Sequence, residues 1–138
     1  MSTIIVLTLL WIIFSCFDGF IQAHYYDLTP SEKGHKNLHP FFMVIRSLFL
    51  GIIFYEVMIV SIWELAGIFT FSLSLIFSFF HNGCYYLTRN KLNPEVYKKG
   101  FWDSSTTSEA ILEIGTGFRT IMAIVGLIFI YVLCLELI

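Results

Sequence analysis

FFMVIRSLFLGIIFYEVMIVSIWELAGIFTFSLSLIFSFF, residues 41–80, carries only three charged side chains, Arg46, Glu56 and Glu64. As one α-helix it would measure about 60 Å at ~1.5 Å per residue, twice a bilayer core of roughly 30 Å. It reads instead as two spans folded back at Ser61–Leu65, with Trp63 and Glu64 at the water boundary. One further apolar run lies on each side. The pattern predicts an all-α polytopic membrane protein: four transmembrane helices in a compact bundle, forming a single domain over residues 1–138.

Composition agrees. Hydrophobic residues make up 57% and charged residues 13% of the chain, against about 25% charged in soluble domains. Mean hydropathy is +0.80. A net charge of −2 excludes a nucleic-acid partner, which would require a basic surface. The expected partners are the lipid bilayer and either further copies of the chain or another membrane protein. Cys16, Cys84 and Cys134 form no C-x-x-C pair, so buried free thiols are expected rather than a disulfide or a thiolate metal site.

The spans are placed at about 3–23, 41–61, 65–82 and 117–137. No Lys or Arg precedes Lys33, and a bulky Ile21 stands where a cleavage site needs a small residue. The first run therefore reads as a retained span rather than a signal peptide. Residues 24–40 form a polar loop with turn signals at Thr29-Pro30-Ser31 and Gly34, and His39-Pro40 opens the second span. Asn82-Gly83 offers one end for the third helix. Continuation to about Asn90 is the other, with Tyr85, Tyr86 and Arg89 as an interfacial collar. Within the loop 83–110, Asn93-Pro94 starts a short interfacial helix through Tyr97. Thr106-x-x-Glu109 fits a capping box, opening a last helix whose first turns stand outside the hydrocarbon.

Four spans put both termini on one face and the two main loops on the other. Lys33, Lys36, Arg89, Lys91, Lys98 and Lys99 lie in or beside those loops, and Arg46 and Arg119 border them. That accounts for all eight bases. The positive-inside rule makes the loop face cytoplasmic and both termini external or periplasmic.

Ionisable residues within a span cost roughly 2.5–3.5 kcal/mol at mid-helix, so each needs a partner or a purpose. Measured from the loop face, Asp18 lies about 9 Å deep and Arg46 about 8 Å deep. Equal depth makes them ion-pair partners, with Arg119 competing for Asp18 or snorkelling. Ser74, Ser78, His81 and Tyr85 share one face of the third helix, and Glu109, Glu113, Thr116 and Thr120 one face of the fourth. Together these define a polar cluster at the cytoplasmic boundary: Asp18, Gln22, His24, Arg46, His81, Tyr85, Glu113 and Arg119. The plainer reading of the same residues is helix-packing glue, with Ser74/Ser78 and Thr116/Thr120 as small-residue pairs.

His24, His35, His39, His81, Glu109 and Glu113 are the ligands a metal site would draw on. That reading is the weaker one: Gly34 and Pro40 flank the His35/His39 pair, and neither a HExxH nor the repeated histidine boxes of membrane oxygenases occur. Glu56 lies within the membrane core with no base nearby. It reads as a buried carboxyl, neutral and hydrogen-bonded between helices or carrying a proton or cation.

No catalytic motif accompanies these features. The first function class is a non-enzymatic scaffold, assembly factor or accessory subunit. The second is a membrane-embedded enzyme, metal-assisted in one version, acting on lipid at the cytoplasmic interface. The third is a holin-like or small transport protein.

Overall fold

The computed structural model describes residues 2–28, 32–95 and 115–136. Four helices follow in chain order: α1 (Ser2–Leu28), α2 (Glu32–Val60), α3 (Trp63–Leu92) and α4 (Thr116–Glu136). Each contains a stretch long and apolar enough to cross a bilayer. Among the described residues there is no strand. The protein is thus an all-α integral membrane protein with a bundled fold.

The surface shows which solvent the fold suits. Ile13 and Phe17 on α1, Val44 and Leu48 on α2, Phe71 on α3, and Ile121 and Ile124 on α4 all face outward. In water such a surface would drive aggregation; in lipid it costs nothing. Helices are the form available here, because each satisfies its own backbone polar groups inside the hydrocarbon.

Helix α3 is the axis of the bundle. Helices α1 and α4 pack along it, while α2 touches it more lightly and α1 hardly at all. Phe69, Leu73 and Ile76 of α3 are fully buried, with Trp11 of α1 and Val57 of α2 against them. Trp11 donates its indole N–H to the Leu73 carbonyl at 2.7 Å. Its ring lies 5.3 Å from Phe14, 5.9 Å from Phe49 and 5.5 Å from Phe77, joining three helices through aromatic contact.

Lipid offers no hydrophobic drive for helices to associate, so close backbone approach must do the work. Two glycines supply it. A Cβ on Gly19 would collide with the His81 carbonyl oxygen, and one on Gly126 would lie 2.7 Å from the Ser72 carbonyl oxygen. These glycines, not the predicted Ser74/Ser78 and Thr116/Thr120 pairs, set the α1–α3 and α3–α4 seams. Ser74 is exposed and bonds back to the Thr70 carbonyl at 3.0 Å; Thr120 bonds back to Thr116 at 2.9 Å. Such hydroxyls satisfy themselves within their own turn.

The helices are longer than the sequence reading placed them. The polar loop at 24–40 is helical at both ends: α1 runs to Leu28, and α2 starts at Glu32 with Pro40 inside it. Asn82-Gly83 does not end α3, which continues to Leu92; Arg89 and Lys91 lie in its last turn, where cations complement the helix dipole. The connection at Ser61–Ile62 matches the expected turn. Of the short interfacial helix, Pro94 and Glu95 form a turn, and residues 96–114, including Glu109 and Glu113, lie outside the described residues.

A candidate polar lock across four helices

Helices α1 and α2 run antiparallel, as do α3 and α4. The contacts Asp18–Arg46 and Asn82–Arg119 therefore place these four residues at one level of the bundle, toward the ends of the helices that border the two main loops.

At this level one polar chain crosses the bundle. Asp18 of α1 is 5% exposed, and its Oδ2 lies 2.6 Å from Arg46 Nη2 and 2.8 Å from Arg46 Nε. Both nitrogens of one guanidinium edge thus converge on a single oxygen. Gln22, one turn along α1, donates to the same oxygen at 3.3 Å. His81 Nε2 is also 3.3 Å from it. The Arg46 guanidinium lies over the Phe77 ring, 4.7 Å from its centroid, and His81 stacks on Phe77 at 5.0 Å.

The chain continues to α4 through Asn82. The hydrogen-bonding partners assign its amide: the oxygen accepts from Arg119 Nε at 3.1 Å and Nη2 at 3.0 Å, and the NH2 group donates to His81 Nδ1 at 3.0 Å. The opposite orientation would set two donors against each other. Arg119 therefore fixes the amide. With the amide in this orientation Nδ1 accepts, and a neutral ring carries its proton on Nε2, toward Asp18. Arg46 Nη2 also lies 3.1 Å from Nε2; a guanidinium can only donate, so this contact calls for a bare Nε2 and competes with the Asp18 contact.

A second tie sits nearer the loop end. Arg89 is buried and donates to the Ala23 carbonyl and to Asp27 Oδ1, each at 3.3 Å. Asn93 donates to the same Asp27 oxygen at 3.3 Å.

Of the predicted cluster, Asp18, Gln22, Arg46 and His81 are in direct contact, and Arg119 joins through Asn82. Tyr85 stacks beside His81 at 6.3 Å. His24 does not join: its Nδ1 donates to the Phe20 carbonyl at 3.1 Å on the outer side of α1. Glu113 lies outside the described residues, as do the side chains of His35 and His39. Among the described residues no three His, Cys, Asp or Glu side chains converge as a metal site would need. Glu56 is not buried between helices. It is exposed on the outer face of α2 and makes no hydrogen bond or ion pair with the described residues.

Sequence reasoning passed over Asn82, Phe77 and the Asp27–Arg89 tie. Asn82 was legible only as half of an Asn-Gly stop signal. The matched position of Asp27 and Arg89 near two helix ends was the signal available for the tie. No protein-family model, curated protein or solved structure matches this chain.

Proposed function

We propose that the chain is a non-enzymatic membrane component: an accessory or assembly subunit that joins another membrane protein or further copies of itself. The observation that carries this reading is Glu56. It stands on the broad outer face of α2, among exposed Ile52, Tyr55 and Ile59, with no partner among the described residues. A carboxyl inside a span at such a position is normally met by a donor on a neighbouring helix. The polar lock supports the same reading, since its groups are engaged in holding this chain's own helices. In this reading the loop face is cytoplasmic, which rests on six of the eight Lys and Arg residues lying in or beside the loops and on Arg46 and Arg119 lying near the span ends that border them.

The test is association within a bilayer, read by crosslinking through Ile52→Cys, with and without Glu56→Leu. An interhelical polar contact contributes about 1–2 kcal/mol, so Glu56→Leu should lower the association constant by about tenfold. A chain that stays monomeric, unchanged by Glu56→Leu, would refute the proposal.

The Asp18–His81 contact favours a second reading. A carboxylate that orients an imidazole is found in general bases, and a membrane-embedded enzyme acting on lipid would use His81 in this way once its substrate displaced Asn82 from Nδ1. That reading expects His81→Gln to abolish lipid turnover while leaving the helices paired.

A further inference from the structure

On the outer side of the α1–α3 seam lies a half-open trough of about 670 Å³. Its walls are apolar over most of their length. On α1, Ile13, Phe17, Phe20 and His24 follow one another at i, i+4, i+7 and i+11, a single helical face. On α3, Cys84, Thr88 and Lys91 line the opposite side at i, i+4 and i+7. The small side chains of Cys16 and Cys84, both free thiols, leave the space between the walls. The close approach at Gly19 keeps the two helices from splaying beneath it.

The trough changes character at one end only. Its apolar part runs along α1 from Ile12 to about residue 24, some 18 Å, close to the depth of one leaflet's hydrocarbon, half of roughly 30 Å. There His24, Thr88 and Lys91 join the lining, beside Leu87 and Leu92. Lys91 is exposed and makes no ion pair or hydrogen bond with the described residues. His24 has its Nδ1 engaged with Phe20, leaving Nε2 for a ligand.

We propose that this trough binds one phospholipid with an anionic headgroup. One acyl chain lies between Ile13, Phe17 and Leu87, and the phosphate sits against Lys91 with His24 beside it. Apolar length and a cation with no partner among the described residues coincide at one place. A protein helix would fill the apolar part equally well, but would meet Lys91 only if it carried a carboxylate at that level. Anionic lipid brings that charge at the right depth.

The experiment is native mass spectrometry of the full chain released from detergent. It is carried out with equimolar phosphatidylglycerol and phosphatidylcholine of identical acyl chains. The chain should retain one phosphatidylglycerol about tenfold over phosphatidylcholine. Lys91→Gln with His24→Gln, both at the rim and outside the core packing, should bring that ratio near one. Cys84→Phe, which fills the trough, should reduce retention of both lipids. Equal retention by the unaltered chain would overturn the proposal. So would a preference that survives the Lys91/His24 double substitution, or a dimer that forms in place of the lipid adduct. If Cys84→Phe does not fold, the rim substitutions alone decide.

Discussion

Gly19 of α1 lies directly against the backbone of His81 in α3, with no room for even a methyl group between them. The next residue back is Asp18, whose carboxylate meets the His81 ring. Steric fit and polar contact therefore act at one level of the bundle, and the first is the condition for the second. If the helices stood a side chain further apart, the 3.3 Å contact would open.

Gly19→Ala is accordingly expected to destabilise the protein by about 1–3 kcal/mol, the range for overpacking a closed interface. Gly51→Ala on α2, where nothing lies within 4 Å, should be neutral or stabilising, since alanine is the better helix former. Unfolding in mixed micelles with increasing dodecyl sulfate compares the two. Equal effects would mean that the α1–α3 seam is looser than described.

Arg46→Ala leaves Asp18 inside the bundle without its cation. Removing one partner of a buried pair costs about 3–5 kcal/mol, whereas replacing both with apolar residues is often neutral. Arg46→Leu combined with Asp18→Leu should thus recover most of the stability that either loses alone. A double-mutant cycle in the same micelles gives the coupling. Additive losses would show that the two charges act separately.

The Asn82 amide favours a proton on His81 Nε2, against the Arg46 donor beside that same nitrogen. In the unaltered chain, nitrogen-15 NMR of the neutral ring should report the Nε2–H tautomer. Asn82→Ala should give a mixture, and Asn82→Asp should move the proton toward Nδ1, because a carboxylate can only accept. A ring that keeps Nε2–H in all three proteins would place control of the tautomer elsewhere.

The parts of this fold that follow from hydrophobicity are plain in the sequence, because a bilayer imposes a length on every span. Equal depth was enough to bring Asp18 opposite Arg46, and helical spacing brought His81 to the same level. Depth carries no information about direction around a helix axis. His24 shared the depth of the cluster and faces outward instead, bonded to Phe20. Glu56 likewise sits on the outer face of α2 rather than between helices. The helix continuations were hidden for a related reason: Gly, Pro and Asn are breaking signals in water, yet Pro40, Asn82 and Gly83 all lie inside helices.

The pairing of α1 with α3, while α2 stands to one side, also constrains biogenesis. Helices α1 and α2, which precede α3 in synthesis, form no compact hairpin, because they share few contacts beyond the Asp18–Arg46 link and the Trp11–Phe49 and Phe14–Phe49 ring contacts. The helix that gathers α1, α2 and α4 is made after both. A nascent chain halted before α3 emerges would hold its first two segments side by side with neither seam closed. The mature arrangement is reached only after α3 inserts beside a segment that entered the membrane two crossings earlier.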